Sequence, residues 1–211
     1  SFGTTMGALA QVPGGIVANV PDVTAIAYLN TIPYNAVPLD AATAGLLNGG
    51  FAAYNGGLAA AQAFGLISAE EVAKRTITFT EGQNAVTMVD EYLTDLSALG
   101  LPSFRQATMN DLIILPAATF IGTAVGGNPT QINGVSVPLA DNWVLSSNEV
   151  LETQARTAEY NATIAALTSQ AGWALFDSYA LLNQAAGTGV PFDDYVMGTD
   201  LVFGGLFSLD G

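Results

Sequence analysis

Apolar and polar positions along the chain fall into blocks of helical and of strand-like spacing. Phe2, Met6 and Leu9 keep one helical face over residues 1–12, and Gly14-Gly15 ends that block. Ile16-Val17-Ala18-Asn19-Val20 is a short apolar run, the pattern of a buried parallel strand, and Pro21-Asp22 closes it. A loop with Tyr28, Pro33, Tyr34 and Pro38 leads to Asp40, a good N-cap. From there Leu47, Phe51, Tyr54, Leu58, Gln62 and Gly65 keep roughly helical spacing through Leu66. The pairs Gly49-Gly50 and Gly56-Gly57 weaken this helix by about 1 kcal/mol per residue relative to Ala, which close packing against another element would offset. Ser68-x-x-Glu71 reads as a capping box opening a short helix that ends at Lys74-Arg75, cations that suit a helix C-terminus.

The spacing then shortens. Thr76-Ile77-Thr78-Phe79 and Val86-Thr87-Met88-Val89 alternate around Glu81-Gly82-Gln83-Asn84, which predicts a hairpin. Leu112-Ile113-Ile114-Leu115 is another apolar run. Asn133-Gly134, between Gln131-Ile132 and Val135-Ser136-Val137, predicts a second hairpin through a type I′ turn. Ser146-x-x-Glu149 opens a long helix with Val150, Tyr160, Ile164 and Leu167 as its stripe, and Gly172 stops it. Trp173-Ala174-Leu175-Phe176-Asp177 is a second buried-strand run. Residues 178–186 read as a short helix and 187–209 as a Gly-rich loop. This alternation predicts an α/β fold with a mainly parallel sheet. Residues 1–75 and 141–211 form its body, and 76–140 are an irregular, partly β insertion and a candidate lid. Two such strands are too few for a sheet, so the chain reads as part of a domain.

Composition narrows the functions. Half of the residues are hydrophobic and 10% are charged, against about a quarter in an ordinary soluble domain. Disorder is excluded, and Asn, Gln, Ser, Thr and Gly must supply the polar surface. Four Lys and Arg against 18 Asp and Glu give a net charge of -14, which excludes a nucleic-acid footprint and docking on anionic lipid. The uncharged runs 41–69 and 112–139 are broken by Gly, Asn, Gln or Pro, so no membrane span is expected. Cys and His are both absent, which removes disulfides, thiol catalysis, His or Cys metal sites and His acid–base chemistry from within these residues. No cofactor is expected. Without an initiator Met or a signal segment, Ser1 reads as a cut end.

The remaining candidates are few. Lys74, the one lysine, reads as a helix-end cation rather than half of a Ser–Lys dyad. The pairs Glu70/Glu71, Asp90/Glu91 and Asp193/Asp194 read as solvated faces and caps, because adjacent carboxylates point apart. Asn161-Ala162-Thr163 fits a glycosylation sequon but falls inside a predicted helix.

Four stretches carry a resemblance: GGIVANVPDVTAIAYLNTIPYN at 14–35, LSALGLPSFRQATMNDLIILPAATFIGT at 96–123, NGVSVPLADNWVLSSNEV at 133–150 and FSLDG at 207–211. In this order, over nearly the whole chain, they resemble a bacterial branch of the SGNH (GDSL-type) serine ester hydrolases. The resemblance implies a doubly wound, flavodoxin-like three-layer sheet and action on carboxylic esters of a small-molecule, lipid or sugar alcohol. It implies that Asp210 is the triad carboxylate of a D-x-x-H-P block whose His falls beyond Gly211. The nucleophile of a G-D-S block and the oxyanion groups would lie before Ser1. Asn110-Asp111 resembles half of a G-x-N-D oxyanion block, yet Thr108 stands where the Gly belongs, so it reads as a turn or helix start. In a doubly wound sheet ligands sit at the carboxyl ends of strands, which would put Asp22 and Phe207 at the pocket rim. The branch implies export. The isolated residues would be inactive. The rival reading is an acidic, non-catalytic surface or carbohydrate-binding module derived from the same fold.

Overall fold

The computed structural model describes residues 1–9, 12–201 and 204–206. In chain order its elements are α1 (Phe2–Ala8), β1 (Ile16–Ala18), α2 (Ala27–Asn30), β2 (Val37–Leu39), α3 (Ala41–Ala63), α4 (Ala69–Arg75), β3 (Gly82–Asn84), β4 (Thr87–Val89), β5 (Phe104–Gln106) and β6 (Leu112–Ile113). There follow β7 (Ala124–Val125), β8 (Asn128–Ile132), β9 (Val144–Leu145), α5 (Ser147–Gln170), β10 (Ala174–Phe176), α6 (Ser178–Ala186), β11 (Val190–Phe192) and β12 (Tyr195–Met197). Two units divide the chain, one of residues 1–31 with 151–211 and one of residues 32–150. α3 and α4 fall within the second unit, whereas the sequence-based division falls at 75/76 and 140/141.

In the first unit, the two runs that the sequence marks as buried strands are each other's partners. β1 and β10 pair in parallel, with Ile16 opposite Ala174, Val17 opposite Leu175 and Ala18 opposite Phe176. The fold is thus mixed α and β, but among the described residues every sheet is two-stranded and this is the one parallel pair. Parallel strands are ordinarily covered on both faces. Here Ile16 is 78% exposed, Leu175 41% and Phe176 48%. The loop expected at 187–209 contains a hairpin instead, β11 with β12, joined by Asp193-Asp194. Each strand is only three residues long and the hairpin is flanked by Gly189 and Gly198, which masked it.

The second unit holds both apolar core clusters. The larger gathers Val37, Phe51, Ile77, Phe79, Val86 and Met88 with Ile113, Leu139 and Val144, and the smaller gathers Leu58, Ala61, Ile67, Leu96 and Leu101. Its pairs β2–β3, β4–β5, β6–β9 and β7–β8 are all antiparallel. The hairpin expected from 76–79 and 86–89 does not form: β3 pairs with β2, and β4 with β5. Residues 77 and 79 take their backbone partners from a helix. Asn55 accepts from the Ile77 N–H at 3.1 Å and donates to its carbonyl at 2.8 Å. Asn48, seven positions earlier and on the same face of α3, does the same for Phe79 at 2.8 and 2.9 Å. Two side-chain amides stand in for a neighbouring strand, so the alternation is real while the β partner is not.

Two turns also differ from expectation. The two-residue hairpin turn is at Gly126-Gly127, both at positive φ (+56° and +78°), and links β7 to β8. Asn133-Gly134 forms a tighter loop in which the Ile132 carbonyl accepts from both Val135 and Val137. Of the four glycines singled out in α3, only Gly57 packs closely, where a Cβ would stand 2.5 Å from Leu101. At Gly49, Gly50 and Gly56 a Cβ would meet open space.

Candidate functional site

The carboxyl ends of β1 and β10 gather the polar groups of the first unit. Asn19 continues the ladder, its N–H donating to the Phe176 carbonyl at 3.1 Å. Its side-chain amide donates to Asp177 Oδ1 at 2.8 Å, and its Oδ1 accepts from the Tyr179 N–H at 3.0 Å. The Ser178 hydroxyl donates to the Asn19 carbonyl at 2.5 Å. Asp177 also caps α6 through the Ala180 N–H at 3.0 Å. That bond, together with Asn19, holds its carboxyl below the usual carboxylate range.

Asp22 lies in the loop after β1, buried at 5% exposure. Its Oδ1 accepts from the Thr24 N–H at 3.0 Å and the Thr24 hydroxyl at 2.5 Å, capping the short turn at 23–25. Gln154 of α5 donates to the same hydroxyl at 3.2 Å. Burial, then the Asp22 carboxylate, push the Tyr179 phenol above its usual range. Asn161 of α5 clamps the loop, accepting from the Val20 N–H at 2.8 Å and donating to its carbonyl at 2.9 Å. The sequon asparagine is therefore occupied at both ends of its amide. Asp22 follows β1 and Asp177 follows β10, and both act there as caps. The Ser178 hydroxyl is tied to Asn19, and no described group stands beside it as a base. Asp210 and Phe207 lie outside the described residues.

The second unit uses its charges differently. Arg105 is 1% exposed and bridges two buried carboxylates. Its Nε donates to Asp90 at 2.5 Å, and its Nη1 and Nη2 donate to Asp111 at 2.7 and 2.6 Å. Asp111 also accepts from the N–H groups of Thr108 at 2.6 Å and Ser147 at 2.8 Å. Burial alone would raise both carboxyls, but Arg105 and the nearby N–H donors hold them low. The Asn110-Asp111 pair is thus the start of a turn, its carboxylate fully engaged. Asp90 corrects the solvated-face reading, since Lys74 pairs with it at 3.2 Å and it is 1% exposed. At the end of α4, Arg75 is fully buried and donates to Tyr54, Glu71 and the carbonyls of Thr94 and Pro102. Only Arg75–Glu71, at i,i+4 spacing on α4, was open to a reading of spacing; Asp90 lies 15 positions from Arg105, and Ser147 lies 36 from Asp111.

Both capping boxes are N-caps, but only one closes. Ser146 and Glu149 bond reciprocally, at 2.7 and 3.5 Å. Ser68 accepts from the Glu71 N–H at 3.1 Å, while the Glu71 carboxylate turns to Thr94 and Arg75. Glu91, Asp141 and Glu149 bring carboxylate oxygens within 4.8 Å of one another near the surface. Among the described residues no helix is long and apolar enough to cross a membrane. No family model, curated protein or solved structure matches the chain.

Proposed function

We propose that these residues form part of an SGNH-type serine hydrolase acting on carboxylic esters, in which Asp210 orients a histidine from outside them. The observation that supports this reading best is the parallel pairing of β1 with β10. A doubly wound sheet is built on such pairs, and it binds ligands at the carboxyl ends where Asp22 and Ser178 stand. The exposed Ile16, Leu175 and Phe176 fit strands that further elements of such a sheet would cover. In the proposed reaction a serine attacks the ester carbonyl, the histidine takes its proton and returns it to the leaving alcohol, and water then releases the acid. The carboxylate holds the histidine in the required tautomer.

The test is to express the natural coding region on both sides of these residues and to follow hydrolysis of a short-chain p-nitrophenyl ester. Turnover that falls about 10⁴-fold in Asp210→Asn, with the 211 residues alone inactive, supports the reading. Turnover unchanged by Asp210→Asn, no labelling by a fluorophosphonate, or a coding region with no histidine after Gly211 overturns it.

A further inference from the structure

One helical stripe of α3, formed by Thr43, Leu47 and Gly50 with Phe51 beside it, walls a half-open groove of about 770 Å³ in the second unit, with the exposed Leu46 at its rim. Val37 and Leu39 of β2 form a second wall, and Ile121, Ile132 and Val135 a third. The volume falls within the about 300–1,000 Å³ of small-molecule sites. Among the described residues that line it, none is charged. Its hydroxyls are already engaged. Thr43 bonds the Asp40 carboxylate, Thr130 bonds Asn128 at 2.8 Å, and Ser136 donates to the Thr130 carbonyl while accepting from the Ile132 N–H, both at 2.8 Å. Cations are equally committed. Lys74 and Arg105 pair with Asp90, Arg75 with Glu71 and Arg156 with Glu159.

We propose that this groove binds an uncharged, mainly aliphatic small molecule and rejects amphiphiles that carry a carboxylate. The side chains of the walls offer apolar contact and hydroxyls that are already bonded, so a hydrocarbon that covers them gains most. A carboxylate would lose its hydration without a cation to replace it, inside a chain of net charge -14. This site is independent of the ester-hydrolase reading, which uses the first unit and residues outside the groove.

The glycines of α3 supply the test. Gly50 lines the groove, and a side chain there would enter open space; Gly49 is exposed, outside the lining and equally unobstructed. Leucine at either position raises helix propensity, so both variants should fold, as circular dichroism would verify. The uncharged probe N-phenylnaphthylamine is titrated into the 211-residue chain and then displaced with dodecanol or dodecanoate below its micelle concentration. The expected result is saturable binding, displaced by dodecanol and not by dodecanoate. Gly50→Leu should weaken it by about tenfold or more and Gly49→Leu should leave it unchanged. Equal displacement by dodecanoate, or equal binding by Gly50→Leu and the parent, overturns the proposal. So does absent binding in a chain that sediments as a dimer, which would make a second copy the occupant.

Discussion

The second unit buries two arginines completely, whereas the one arginine of the first, Arg156, has a 69% exposed side chain and pairs with Glu159. Both units share a different device. Asn48 and Asn55 in one, and Asn161 in the other, pair with both backbone groups of a distant residue. A chain short of charge uses asparagine less as solvent-facing polarity than as a detachable piece of peptide backbone. The difference lies in what each contact leaves behind when it is removed. Loss of Arg105 takes the guanidinium from two buried carboxylates, while loss of an amide near the surface leaves groups that water can satisfy.

The sharpest way to break this comparison is Arg105→Met. It should cost about 3–5 kcal/mol, a large share of a typical domain's stability, because Asp111 stays buried with no cation beside it and Asp90 keeps only the half-exposed Lys74. Urea unfolding would measure it. Each unit has one tryptophan, Trp143 in the second and Trp173 in the first, so Trp173→Phe isolates the signal of the unit affected. Arg156→Ala should leave the midpoint where it is.

Acid should shrink the effect of Arg105→Met. In the parent, Asp90 and Asp111 titrate below their unfolded value near ~3.9, so the unfolded state takes up more protons as pH falls. Their contribution is complete above about pH 5 and is lost as pH drops through the folded values. In Arg105→Met the burial of these carboxyls is offset less, with Lys74 alone beside Asp90 and only N–H donors on Asp111, and protonation relieves it. The gap in stability between the two proteins should therefore narrow from pH 7 towards ~4; a constant gap would show that the carboxylates are not the cause.

Asn55→Leu and Asn161→Leu sharpen the comparison at lower amplitude. Each frees one N–H and one carbonyl, at about 1–3 kcal/mol if both stay dry. Ile77 is fully buried and Val20 only half-buried, so the loss at Asn55 should be the larger. The smallest effects belong to α3. Gly49→Ala should gain up to about 1 kcal/mol, and Gly57→Ala should lose part or all of that gain against Leu101. Equal gains would show that Leu101 moves aside freely.

What the sequence reveals follows the range of the interaction. Asp40, Ser68, Asp177 and Ser146 sit next to the N–H groups they cap, and the helices at 41–63, 147–170 and 178–186 are legible from them and from the apolar stripe. The two apolar runs at 16–20 and 173–177 are likewise legible as strands of a parallel pair, but not as the half-exposed strands they are. Residues 76–89 are not, because Ile77 and Phe79 have the alternation of a strand while their partners are asparagines of α3. Of the expected site, Asp22 is placed and acts as a cap, and Asp210 and Phe207 lie outside the described residues. The charge cluster at Arg105 escapes a one-dimensional reading because Asp90 looks like half of an acidic surface pair until the fold brings Arg105 beside it.

The placement of the four cations has a practical consequence for proteolysis. Trypsin cleaves after Lys and Arg, so it has four targets in the 211 residues. Arg75 and Arg105 are fully buried, and Lys74 is tied to Asp90. Arg156 sits inside a 24-residue helix. A native sample should resist the protease, and each cut that does appear names the part that opened. Release of the 106–156 peptide would report opening at both Arg105 and α5, while a single cut at 74 or 75 would report fraying of α4 alone.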